Sequence, residues 1–296
     1  MIPVIRLLSL SDFGAAESIL NESFLQVAHR RTVLETGLKI TPDGWFLAQV
    51  GGMPVGLVGA TCYQNLAWIG MMAVHPQFQS NGIGRRLMIH VLSFLEKHGI
   101  ETVLLDATSA GHPLYRSLGF VDADESRVYE QNPTLPTIMS EECDWESAEH
   151  LLLLNKIAIR PITEKDLLRL AAFDFFSFGA NRGKFLTILH EILPGRCFLA
   201  ERNGSILGYS IAQQNRIGPW VALNDIVAEK LFQTSLQLPF SGQVQVIVPQ
   251  KKLSAEKILH RNGFSLAFAN RHMWKSLTKP NERREFIFGQ GNFAYG

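Results

Sequence analysis

Between an apolar run, Leu66 to Val74, and a helical pattern that begins near Gly82 stands the loop Val74-His75-Pro76-Gln77-Phe78-Gln79-Ser80-Asn81-Gly82-Ile83-Gly84. Its second half, Gln79 to Gly84, has the form Q-x-x-G-x-G. Successive backbone N–H groups in such a turn, together with the free N–H groups and positive dipole end of the following helix, form a concave anion site. Glycine leaves the backbone open to close approach, where a Cβ would block it. The chemistry on offer is therefore pyrophosphate binding by Gln79, Ser80, Asn81, Gly82, Ile83, Gly84 and Arg85. Neither a dinucleotide fingerprint with its acidic residue on the next strand nor a Gly-Lys-Ser/Thr phosphate loop is present. Arg85 and Arg86 open the helix where a cation opposes the dipole, so one of them is expected to face a phosphate. Asp106 ends a short apolar strand, Thr102 to Leu105, where the pattern turns polar. It suits a general base or a capping bond to the turn from Ala107 to Ser109, and both remain open. Cys62, Cys143 and Cys197 stand far apart without C-x-x-C spacing, so no disulfide framework is expected and no metal site is implied.

The elements that must position this loop can be read from periodicity. After it, Ile83, Leu87, Val91 and Leu95 recur every four residues and Lys97-His98-Gly99 supplies a basic last turn with a glycine stop, which predicts an amphipathic helix. The run Pro113 to Phe120 reads as a short helix, with proline in its first turn, Gly119 at its C′ position and Phe120 folding back. Upstream, Val4 to Leu8 reads as a strand and Phe13, Ala16, Ile19 and Leu20 as a helix capped by Ser11 or Asp12. Trp45 to Val50 and Pro54 to Cys62 flank Gly51-Gly52, a hairpin signal.

The chain has 296 residues, and at about 150 residues per domain two domains are expected. Lysine and arginine (28) nearly balance aspartate and glutamate (27), a net charge of +1, so no field points to nucleic acid or to an anionic membrane. The start lacks a secretory pattern and no apolar run is long enough to span a bilayer, which favours a cytoplasmic protein.

The second half repeats the first. Ile159-Arg160-Pro161-Ile162-Thr163-Glu164-Lys165-Asp166 echoes Ile5-Arg6-Leu7-Leu8-Ser9-Leu10-Ser11-Asp12, and Cys197-Phe198-Leu199-Ala200 matches Trp45-Phe46-Leu47-Ala48. Ile258 to Phe264 pairs with Leu114 to Phe120 in the same order, which argues for duplication. Aligning Ile69-Gly70 with Ile217-Gly218 and Arg86-Leu87 with Lys230-Leu231 leaves the second copy short of the glycine loop. Val221 to Ala228 stands there without glycine, and Leu259 takes the position of Tyr115. Trp220 and Asp225 fall where the lost loop would be, placed either to close over an acceptor or to be buried.

Together, the strand Trp68 to Val74, His75-Pro76, the Q-x-x-G-x-G loop, its helix and Leu114-Tyr115-x-x-x-Gly119-Phe120 resemble the core motifs of the GNAT superfamily of N-acetyltransferases. The resemblance implies an α/β (α+β) fold of two GNAT-like domains, each a mixed, mostly antiparallel twisted sheet flanked by helices. It implies a catalytic domain at 1–135, a linker at 136–155 and a degenerate copy without the loop at 156–296. The implied cofactor is acetyl-CoA, with backbone groups of Met72, Ala73 and Val74 pairing with pantetheine and Tyr115 protonating the leaving thiolate. Glu22 and Glu35, in the helical segment bordering the acceptor site of such folds, join Asp106 as candidate bases, and no metal is required. The expected acceptor is a small-molecule amine, with a protein amine or a cofactor-sensing role as alternatives. A monomer with an internal pseudo-dimer and a homodimer are both compatible with the duplication.

Overall fold

The computed structural model describes residues 2–24, 29–132, 157–250, 252–277, 280 and 282–296. The linker expected at 136–155, and Cys143 within it, lie outside the described residues. The first half runs β1 (Val4–Leu7), α1 (Phe13–Ser23), α2 (Arg30–Ile40), β2 (Trp45–Val50), β3 (Met53–Tyr63), β4 (Leu66–Val74), α3 (Ile83–Lys97), β5 (Thr102–Ala107), α4 (His112–Ser117) and β6 (Val121–Gln131). The second repeats the order with β7 (Ala158–Pro161), α5 (Leu167–Phe178), α6 (Gly183–Ile192), β8 (Cys197–Arg202), β9 (Ser205–Ala212), β10 (Ile217–Ala222), α7 (Asp225–Leu236), β11 (Gln245–Pro249), α8 (Leu253–Arg261), β12 (Phe264–Lys275) and β13 (Ile287–Gly289). Among the described residues no helix is long and apolar enough to cross a membrane.

The chain forms two compact units, and they do not divide at one point in the sequence. One comprises Met1–Ala123, His272–Pro280 and Phe293–Gly296; the other comprises Asp124–Arg271 and Asn281–Asn292. In the first unit the strand order is β1-β2-β3-β4-β5, with the end of β12 next in line. All its described pairings between β1 and β4 are antiparallel, and β4 and β5 are parallel. The second unit contains the order β13-β10-β9-β8-β7, and there β11 pairs antiparallel with β6 from Gln245↔Glu130 to Pro249↔Ser126. These units differ from a division at 136–155 in three segments: Asp124 to Asn132 falls in the second unit, and His272–Pro280 and Phe293–Gly296 fall in the first. Strand pairing joins residues remote in sequence, and no local pattern records it.

Helix α3 forms as its periodicity requires. Ile83, Leu87, Met88, Val91 and Leu95 are its buried face, packed on Ala48, Val58, Ala67, Ile69 and Leu105 of the sheet. At roughly 1.5–3 kcal/mol per fully buried aliphatic side chain, this face anchors the helix whose start carries the loop. Gly99, with φ of 70°, ends it as expected.

The duplication is visible in atomic detail. The Arg6 guanidinium donates to both Asp12 oxygens at 2.7 Å and 2.7 Å, and Arg160 does the same to Asp166 at 2.7 Å and 2.8 Å. Asp12 also accepts from the Ser9 N–H, and Asp166 from the Thr163 N–H. Even the bulge is shared, at Ala48/Gln49 in one copy and Ala200/Glu201 in the other. These arginines hold both carboxyls well below the ordinary carboxylate range. A depressed pKa stabilises the fold above the unfolded value, about 4, and that stability is lost as pH falls through the folded value. Urea midpoints are therefore expected to be flat from pH 7 to about 4.5 and to decline below it. Asp166→Asn should cost about 2–3 kcal/mol at pH 7 and reduce the acid decline; an unaltered acid profile would exclude this pair as its source.

Candidate active site

Strand β4 changes partners along its length. It pairs with β5 from Leu66↔Thr102 to Ile69↔Leu105, where the ladder between them stops. Its register with β3 shifts between the pairs Gly59↔Gly70 and Leu57↔Ala73, and Met71 takes a φ of 52°. This bulge turns Met72, Ala73 and Val74 away from β5 and leaves their edge without a strand among the described residues. An unpaired edge of alternating N–H and C=O groups can receive an extended amide as a further strand. The Val74 carbonyl already accepts from Ser23 Oγ at 3.1 Å and from Gln79 Nε2 at 3.0 Å, so it offers less than the rest of the edge.

That second bond shows what Gln79 does: its side chain pins the loop to the strand. Asn81 Nδ2 donates to the carbonyls of Phe78 and Gln79 at 3.3 Å and 3.0 Å, closing the turn on itself. Ser80 and Gly82 both take positive φ, 62° and 74°. Gly82 is the residue before α3 and brings no side chain to cap it; the first helical bond is Arg86 N–H to the Gly82 carbonyl, 3.1 Å. The N–H groups of Ile83, Gly84 and Arg85 therefore have no intrahelical acceptor. A methyl built on Gly82 meets nothing within 4 Å, whereas one on Gly84 would lie 3.3 Å from Met72 Cε and 3.6 Å from Leu114 Cδ2. Open space beside unpaired N–H groups at a helix start fits a pyrophosphate. Arg85 reaches across to α4, donating to Ser117 Oγ at 2.9 Å, so its side chain ties helix to helix.

Tyr115 on α4 is 7% exposed and shares one apolar cluster with Val74, Ile83 and Met72. Its ring meets Phe120 edge-on at 6.0 Å. Burial pushes its phenol above the ordinary value, so the group is a proton donor throughout the neutral range. Among the described residues its hydroxyl makes no hydrogen bond. The structure thus assembles the strand edge, the loop and the phenol in one place.

The acidic candidates fare differently. Glu22 lies 2.8 Å from His75 Nε2; since His75 Nδ1 accepts from the Gln77 N–H, the imidazole proton is on Nε2 and faces Glu22. Together with Ser23, this pair fastens the end of α1 to the end of β4. Glu35 is exposed on α2. Asp106 Oδ1 lies 3.1 Å from Nδ1 of His272, with both side chains fully buried, and the His272 ring stacks on Trp68 at 5.5 Å. His272 belongs to the first unit although it lies far along the chain; no signal in the sequence marks it. Trp220 does not line a site. It is fully buried, donates to the Ala228 carbonyl at 3.0 Å, stacks on Phe232 at 4.9 Å and meets Phe288 tilted at 5.1 Å. A ring fully buried in a core is not placed to meet an acceptor.

The corresponding places in the second unit are filled by the chain itself. β13 pairs with β10 through Trp220↔Gly289 and Val221↔Ile287, the positions that align with Met72 and Ala73. Helix α7 is capped by Asn224, whose Oδ1 accepts from the Val227 N–H at 3.0 Å. Leu259, in place of Tyr115, is fully buried.

A bulged strand edge, an uncapped glycine turn and a buried phenol thus stand together on one unit, and comparison with known proteins gives the family. Residues 41–122 match the acetyltransferase (GNAT) domain family, and residues 170–289 match a second acetyltransferase (GNAT) domain family. The chain belongs to the GNAT N-acetyltransferases and carries two such domains in tandem. It is 24% identical to the uncharacterized N-acetyltransferase YitH of Bacillus subtilis over 73% of this chain and 72% of that one. A stretch covering 20% of the chain is 41% identical to the ribosomal protein bS18-alanine N-acetyltransferase of Escherichia coli and spans 41% of that protein. In fold, the chain is similar to a crystal structure of a candidate acetyltransferase from Pyrococcus horikoshii, with a TM-score of 0.82, 24% identity and coverage of 99% of this chain and 96% of that one. A GCN5-related N-acetyltransferase from Sphaerobacter thermophilus shares the fold at a TM-score of 0.68 and 14% identity, over 95% and 98% of the two chains.

Proposed function

We propose that the first unit transfers the acetyl group of acetyl-CoA to the primary amine of a small molecule, and that the second unit is a non-catalytic copy. One contrast carries this reading: the open edge of Met72 to Val74 and the uncapped start of α3 are answered, at the aligned positions of the second unit, by β13 and by the Asn224 cap. Acetyl-CoA, when bound, supplies a thioester activated toward attack by an amine. The backbone edge of Met72 and Ala73 would align its pantetheine arm, and the N–H groups of Ile83, Gly84 and Arg85 would hold its pyrophosphate. Tyr115 would donate its proton to the departing sulfur; a phenol kept neutral by burial, with no competing hydrogen bond, is suited to that. Glu22 is committed to His75 and Glu35 faces solvent, so proton removal from the amine is assigned to neither. The free thiols of Cys62 and Cys197 suit a reducing cytosol.

Calorimetry with acetyl-CoA is expected to give one site per chain, and a CoA-release assay across small primary amines to give turnover on at least one. Two sites per chain would refute the silent second copy. Binding without turnover on any small amine would favour the sensor reading, and turnover on an N-terminal peptide amine alone would favour a protein acceptor, as the Escherichia coli relative has.

A further inference from the structure

Ala60, Cys62, Ala67 and Ile69 face the core beneath α3, so by strand alternation Thr61, Tyr63, Trp68 and Gly70 face the other side of the sheet. On that side lies the segment Phe293–Gly296, which belongs to the same unit. Thr61 Oγ1 donates to the Ala294 carbonyl at 3.4 Å, and the Tyr63 hydroxyl to the Tyr295 carbonyl at 2.8 Å. A methyl on Gly70 would overlap the Ala294 Cα and stand 2.6 Å from the Phe293 carbonyl oxygen. Gly70 is thus glycine because another backbone lies directly on it. Ala294 and Tyr295 are 0% and 2% exposed.

The place of this contact matters. The glycine loop follows Val74, so a pantetheine arm laid along Val74 to Met72 points its reactive end back toward Gly70. The β4–β5 ladder closes at Ile69↔Leu105, so the arm can go no further. An amine must then arrive from one face of the sheet. The α3 face is filled there by Ile69, Leu105 and Tyr115. The geometry points to Phe293–Tyr295 as the wall of the acceptor site, a specificity-determining segment that admits compact amines and turns away extended chains such as polypeptides. This rests on the acetyl-transfer reading above.

The test compares wild type, Gly70→Ala and Tyr63→Phe on glycinamide, phenylalaninamide and a peptide with a free N-terminal glycine. Acetyl-CoA binding is followed by calorimetry, and hydrogen exchange of residues 293–296 reports whether the segment has moved. Gly70→Ala is expected to loosen the segment and raise kcat/KM for the two larger amines relative to glycinamide by about tenfold or more, with acetyl-CoA affinity unchanged. Tyr63→Phe, which removes one hydrogen bond, should shift the ratio the same way by less and carries the test if Gly70→Ala does not fold. A loosened segment with an unchanged ratio overturns the wall while leaving acetyl transfer intact. So does a wild type that uses the peptide as well as glycinamide. Failure of wild type to bind acetyl-CoA overturns the functional reading and the wall with it, whereas turnover of other small primary amines but not of glycinamide overturns the wall alone.

Discussion

Tyr115→Phe is expected to lower kcat by about 10²- to 10⁴-fold, the range for loss of a positioned proton donor, with acetyl-CoA affinity unchanged. The ring would keep its edge-on contact with Phe120, and among the described residues the lost hydroxyl makes no bond that holds the fold, so the variant should melt with wild type. The pH dependence adds a second readout. Because burial raises the phenol above its ordinary value, the proton is present at every pH below about 10. Wild-type kcat should therefore show no alkaline decline from this group in the neutral range, and the variant should show no recovery at any pH. Turnover within a few-fold of wild type would remove Tyr115 from the chemistry and leave water or another donor for the thiolate.

The second large effect is expected at the loop. Gly82→Val should reduce acetyl-CoA binding beyond about 100-fold, a change of roughly 2.7 kcal/mol. Two causes act together: a β-branched residue is strained at a φ of 74°, by about 1–2 kcal/mol, and its side chain occupies the open space beside the N–H groups of α3. Gly82→Asn separates them. Asparagine tolerates the left-handed region but still fills the space, so calorimetry should show binding lost while the melting temperature holds. Near-native affinity in Gly82→Asn would mean that only the backbone conformation of Gly82 matters and that nothing approaches it.

How much of this was legible in the sequence follows from how local each feature is. The loop, α3 with its four-residue repeat, the α4 turn and the duplicated Arg–Asp box are all specified within a few residues of themselves, and each stands where periodicity and turn chemistry put it. Asp106 shows the limit. Its neighbours suggest a cap or a base, and nothing among them announces the contact with His272, brought in by the last residues of β12. The segment Phe293–Gly296 carried no signal beyond its aromatic residues, because a four-residue backbone contact has no period to display. Trp220 stayed open between two readings for a related reason: alignment put it beside the missing loop, and only packing against Phe232 and Phe288 decides in favour of burial.

Strand β13 has a consequence for the protein outside any assay. An exposed strand edge is a template for pairing with another chain, and the two copies deal with theirs differently. The edge of β10 is sealed permanently by residues 287–289. On the acetyl-transfer reading proposed above, that of β4 would be sealed only while the cofactor lies along it, so its security would depend on supply: a ligand present at 100 times its dissociation constant adds about 2.7 kcal/mol to the folded state that binds it. One half of the molecule carries its own closure at all times. On the same reading the other would borrow it from its cofactor, and a cell poor in that cofactor would leave the first half both idle and less protected.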